Sequence, residues 1–262
     1  MLDLDEPRSW DGAFAALVYE DSTWSYVKAQ ADAGEDAYYR FLCELEEHRD
    51  GTLAARLWDN ATPILCQKHT HVVAYHGCRV GDRRSYEQNG IVPSNPEKLI
   101  ASARGLFRGI EGIEDALRDV SNPFFGYLNH NENKVFLLVS GVWAKKERCE
   151  HVQGSELVQA LANRLADPRE AWRRFIATGT PTLIKCAVPV DWLDRHTTYQ
   201  VARSYAYHVV RELIRTRLEP NREYQGCQGG YALTRGVPPE NLLEFVDMTE
   251  FANDEVKSRV RP

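Results

Sequence analysis

Residues 71–92 read HVVAYHGCRVGDRRSYEQNGIV. Its opening run, His71-Val72-Val73-Ala74-Tyr75, is rich in β-branched and aromatic residues, the composition of a buried strand. The run is expected to stop at His76-Gly77-Cys78-Arg79. A polar loop carrying Tyr86 should follow and close at Asn89-Gly90-Ile91. An imidazole at a strand end, followed directly by glycine, lies beside backbone that a ligand can approach without meeting a Cβ.

Working outward, a chain of 262 residues is long enough for one large domain with a sizeable core. Its 43% hydrophobic and 27% charged content is that of a soluble globular protein. No run approaches the ~20 apolar residues of a membrane span, and the acidic start carries no signal-peptide pattern. A cytoplasmic protein without membrane partners is therefore expected. The six cysteines, Cys43, Cys66, Cys78, Cys149, Cys186 and Cys227, are scattered with no Cys-x-x-Cys pair. That argues for reduced thiols and against a metal site. A formal charge of −6 provides no global attraction to nucleic acid.

In chain order, residues 1–62 read as a helical N-terminal region and 63–262 as the main domain. Asp36 to His48 spaces Tyr38, Phe41, Leu42 and Leu45 helically, and Leu53, Leu57 and Trp58 add a turn or two before Pro63. Tyr19, Trp24 and Tyr26 supply packing mass. Ser94-Asn95-Pro96-Glu97 is a helix start with a cap, a first-turn proline and an acid. A short helix over about 113–120 follows, then a strand over 134–140 that ends in Ser140. Gln153-Gly154-Ser155-Glu156 opens another helix. There Glu156 fits either a capped N-terminus or a carboxylate at the mouth of a cleft. Residues 182–189 read as a strand ended by proline. A long helix spans about 199–218, with Arg203, Arg211, Arg215 and Arg217 on its solvated face. The chain closes with a strand followed by Gly236-Val237-Pro238-Pro239-Glu240-Asn241-Leu242-Leu243.

The order Tyr-His-Gly-Cys-Arg, loop, Asn-Gly-Ile, together with the Gly-Val-Pro-Pro-Glu ending, resembles the His-Gly branch of the ADP-ribosyltransferase superfamily. That branch includes poly(ADP-ribose) polymerases and RNA 2′-phosphotransferases. The resemblance spans about residues 70–247 and implies an α+β fold: a split, mixed β core with helical insertions and a helical N-terminal region. It implies NAD as substrate and a macromolecular acceptor, protein or nucleic acid, with NAD hydrolysis as a side or main reaction, in a toxin or defence setting among others. A histidine resembling His76 would bond the adenosine-side ribose, Gly77 would hold the nicotinamide carboxamide, and Arg79 would pair with the pyrophosphate. Tyr86 would stack on the nicotinamide ring or pack in the core, while Cys78, Asn89 and Ser140 would complete the cofactor surround. The family carries a catalytic glutamate just before the last strands. Here that place holds Gln228, Gly229 and Gly230, which nominates either Gln228 or Glu156 for the oxocarbenium-like centre. Two other readings stay open: an RNA 2′-phosphotransferase-like enzyme using the four-arginine helix, and an inactive module that binds NAD, ADP-ribose or a protein.

Overall fold

The structure is a computed structural model that describes residues 1–6, 9, 10, 12, 25, 29, 32, 52–120, 133–146, 153–218, 226 and 229–250. The helix expected over 36–48, the aromatic residues Tyr19, Trp24 and Tyr26, and Gln228 lie outside these residues. The described chain is mixed α+β, with eight helices and a five-stranded sheet. In order the elements are α1 (Thr52–Lys68), β1 (His71–Val80), α2 (Arg83–Asn89), α3 (Pro96–Leu106), α4 (Ile113–Val120) and β2 (Val135–Leu138). There follow α5 (Gly141–Lys146), α6 (Glu156–Ala162), α7 (Pro168–Ile176), β3 (Thr180–Pro189), α8 (Arg195–Leu218), β4 (Gly230–Leu233) and β5 (Leu242–Asp247). No helix among the described residues is long and apolar enough to cross a membrane.

The chain divides into two compact units at 73/74, 186/187 and 231/232, rather than at 62/63. The first comprises residues 1–73 and 187–231. Here α8 packs along α1. The buried Tyr205 hydroxyl donates to the Val73 carbonyl (3.0 Å). Helix α1 runs through Pro63 instead of ending before it. Proline deletes one helical hydrogen bond, the one to the carbonyl four residues back, and both Pro63 and Asp59 are exposed, so water can replace it. The chain start is strand-like: Leu2 is fully buried and bridges Val72 in parallel, with Leu2 N–H on the His71 carbonyl (2.9 Å) and Val73 N–H on the Leu2 carbonyl (2.7 Å).

The second unit holds the helices α2 to α7 and most of the sheet. Strand order is β4-β2-β1-β3-β5, so β1 is central. Strands β1 and β2 pair antiparallel with Tyr75 opposite Leu138, and β3 pairs antiparallel with β5 with Ile184 opposite Phe245. Strand β1 does not stop at His76 but continues through Gly77, Cys78 and Arg79 to Val80. A strand flanked on both sides has ladder partners that carry it through a glycine. The expected loop after it is helix α2. Asp82 caps this helix by accepting from Arg84 N–H (3.0 Å), and Gly90 ends it in the left-handed region (φ 69°). Helix α3 begins as its sequence promised, with Pro96 in the first turn and Asn95 accepting from Lys98 N–H (2.9 Å). The apolar faces of α3, α4, α6 and α7 meet in one core around Phe107, Leu117, Leu161, Trp172 and Phe175.

Candidate functional site

Side chains alternate across a strand, so β1 sends His76 and Cys78 to one face and Tyr75, Gly77 and Arg79 to the other. The contacts agree. On the His76 face, the Cys78 thiol hydrogen-bonds the Tyr86 hydroxyl of α2. The Tyr86 ring meets Phe245 edge-on at 6.2 Å between centroids, and Arg83 lies over the same Phe245 ring at 4.5 Å. On the other face, Arg79 runs under α7: its Nη2 donates to the carbonyls of Ile176 (2.8 Å) and Gly179 (2.7 Å), and its guanidinium lies 5.4 Å from the centre of the Phe175 ring. The expectation of Arg79 and Tyr86 in one cleft is therefore corrected. Residues 79 and 86 sit on opposite faces of the sheet, because the strand carries on where a loop was expected.

His76 is half-buried. Its Nδ1 lies 3.0 Å from the Phe136 carbonyl. A carbonyl can only accept, so Nδ1 carries the proton and Nε2 presents a lone pair. Surrounding protein mass desolvates the imidazolium and lowers the His76 pKa from its ordinary 6.5, against a smaller upward pull from the Phe136 carbonyl. The ring is a neutral hydrogen-bond acceptor at neutral pH.

Cys78 is buried, and burial pushes its thiol up to about 11 despite the Tyr86 bond. Burial likewise raises Cys186 on β3 to about 12, with a further push from Cys78, and raises the Tyr86 phenol. Neither thiol has the ionised character that a nucleophile needs. Desolvation lowers the Arg79 pKa, and the guanidinium stays charged at neutral pH.

Ser140 is fully buried, and its Oγ accepts from Trp143 N–H (3.1 Å), fixing the start of α5. Asn89 is exposed on α2 and donates to the Ser85 carbonyl (3.0 Å). Glu156 is the first residue of α6 and half-buried. Ser155 precedes it without a side-chain capping bond, so the expected cap is absent. Gly154 explains the local geometry. Its φ of 112° suits glycine, and an added Cβ would stand 2.8 Å from Arg79 Cγ and 3.1 Å from the Phe175 ring. The segment leading to Glu156 thus packs on the Arg79 stem, on the Gly77 face.

The two stretches that carry the sequence resemblance meet in space. Ile91 N–H donates to the Val237 carbonyl (2.8 Å) and Val237 N–H returns a bond to Ile91 (2.9 Å). Sequence reasoning missed two residues on the Gly77 face. Lys185 is the one charged residue in the β3 sequence TPTLIKCAVP, and its Nζ lies 5.9 Å from the centre of the Tyr75 ring. Phe136 is 46% exposed although its neighbours Val135 and Leu137 are buried. A single charged residue and an outward aromatic in apolar strands are the signals that could have found them.

A concavity of about 260 Å³ is lined by Ile100, Arg104, Glu114, Leu117 and Arg118, where Arg104 forks onto Glu114 (2.9 and 2.8 Å). None of the expected site residues lines it. Among the described residues no group of three or more His, Cys, Asp or Glu side chains is placed to hold a metal ion. No protein-family model, curated protein or solved structure matches this chain.

Proposed function

We propose that the chain is an ADP-ribosyltransferase-like enzyme that binds NAD and breaks its nicotinamide–ribose bond, passing ADP-ribose to a macromolecule or to water. The observation that carries the reading is the reciprocal pairing of Ile91 with Val237. The Asn-Gly-Ile and Gly-Val-Pro-Pro segments lie almost 150 residues apart in the chain, and each resembles the same family. Two weak motifs that must be bonded to each other say more than either alone.

The chemistry of His76 supports the same reading. Held neutral with Nε2 as acceptor, it suits a ribose hydroxyl, which donates. Cleavage passes through an oxocarbenium-like centre that asks for negative potential nearby. Glu156 is the carboxylate nominated for it, since the family's usual place holds Gln228 and two glycines. Neutral His76 and buried, protonated Cys78 make a nucleophilic role for that thiol unattractive, so the cleavage is assigned to electrostatic stabilisation rather than to a covalent intermediate.

Incubating the protein with NAD and following nicotinamide by chromatography tests the proposal. Nicotinamide should appear at a rate proportional to enzyme, and Glu156→Gln should slow it by ~10²-fold or more while remaining folded. Tight NAD binding without nicotinamide release would replace the enzyme with a binding module. Neither binding nor release would end the reading.

A further inference from the structure

We infer that His76 makes the site selective for a dinucleotide whose adenosine ribose carries a free 2′-hydroxyl, so that NAD is taken and NADP, which bears a phosphate there, is refused. The assignment rests on the NAD reading above and deepens it by stating what the His76 face excludes. A ring nitrogen discriminates in this way only if its tautomer is fixed, and here it is. Nδ1 gives its proton to the Phe136 carbonyl at 3.0 Å, so Nε2 offers a lone pair and nothing else. That carbonyl is itself held in place, because β2 pairs with β1 beside it, Leu138 opposite Tyr75.

The surroundings of the ring decide between the two ligands. A hydroxyl donates to Nε2 and brings no charge. A phosphate monoester carries about −1.5 to −2 charges at neutral pH and presents acceptor oxygens to a lone pair. It would need either a second proton on the ring or a cation beside it. Burial opposes the first, since it disfavours the imidazolium. As for the second, alternation gives His76 the neighbours Ala74 and Cys78 along β1, and register sets Leu137 across from it on β2. All three are buried and uncharged. Among the described cations of nearby elements, Arg79 bonds two carbonyls and Lys185 lies over the Tyr75 ring, both on the opposite face. Arg83 sits over Phe245 and pairs with Glu87 (2.7 Å). An acceptor aimed at a ribose hydroxyl is also how dinucleotide-binding folds select NAD, with an arginine in its place where NADP is taken.

Equilibrium binding of NAD, NADP and NAD lacking the adenosine 2′-hydroxyl, to the parent and to His76→Gln, tests the assignment, with circular dichroism as the check on folding. The parent should bind NADP roughly a hundredfold or more weaker than NAD, because the phosphate meets an unpaired lone pair and no cation. Removing the hydroxyl should cost about tenfold, the worth of one hydrogen bond to a buried acceptor. His76→Gln, whose amide can turn a donor toward the phosphate, should bring NADP within about tenfold of NAD. Binding of NADP to the parent as tightly as NAD would overturn the selectivity and leave the NAD reading standing. Discrimination that survives unchanged in a folded His76→Gln would assign it to other residues and overturn the role of His76. Should His76→Gln not fold, the deoxy analogue decides: affinity equal to that of NAD would show that no hydroxyl donates to Nε2 and overturn the assignment. A parent that binds neither NAD nor NADP would overturn both readings.

Discussion

Gly90→Ala is expected to cost about 3 kcal/mol or more of stability and to abolish ligand binding with it. Gly90 ends α2 at a φ of 69°, a conformation that L side chains adopt at a cost of roughly 1–3 kcal/mol. Space makes matters worse. A Cβ there would collide with the Val237 carbonyl oxygen and stand 2.8 Å from Pro238 Cα, both of them backbone atoms that cannot rotate away. The Ile91–Val237 pair next to it would have to open, and that pair joins the segment after α2 to the segment before β5. Urea unfolding at unchanged m-value would read the loss as a lower midpoint. A midpoint within experimental error of the parent would show that Val237 and Pro238 yield easily, and the pairing could not then be rigid enough to organise a site.

Arg79→Met should come next in size, at about 2–4 kcal/mol. The substitution keeps apolar volume under α7 but leaves the carbonyls of Ile176 and Gly179 without their donor, and it removes the cation from the Phe175 ring. Arg79→Lys should recover only part of this, since a single ammonium on a different stem cannot reproduce the geometry of a planar fork. The readout is again the urea midpoint. Parent-like stability in Arg79→Met would detach this side chain from the α7–β3 turn and return it to the ligand as a free guanidinium.

Helix starts were legible wherever local chemistry suffices. Asn95-Pro96-Glu97 announced α3; Asp167-Pro168 carries the same signal for α7, a helix the sequence reading passed over, where Asp167 accepts from Glu170 N–H (3.0 Å). Helix α2 was not legible. Its sequence RRSYEQN has no apolar stripe, and its one large ring, Tyr86, is placed by Cys78 on β1 and by Phe245 on β5, more than 150 residues away by subtraction. The true end of β1 was hidden for a similar reason. His-Gly-Cys-Arg looks like a strand terminus in isolation, and only β2 and β3 on either side extend the ladder through it. Once the strand is continuous, period-two alternation alone separates His76 from Arg79, so the placing of Arg79 beside Tyr86 followed from the misreading of one strand end. The motif residues themselves were visible in sequence; their partition between two faces was not.

The most direct measurement is a nitrogen-resolved NMR titration of the His76 ring, with and without excess NAD. The free protein should show the neutral ring protonated on Nδ1 at pH 7, where the Phe136 carbonyl holds that proton, and an apparent pKa below the ordinary 6.5, because burial disfavours the cation. Adding NAD should move the Nε2 resonance while Nδ1 keeps its proton, as a ribose hydroxyl donates to the Nε2 lone pair. A ring that titrates at or above 6.5 and whose Nε2 signal is unmoved by NAD would contradict the account at its centre.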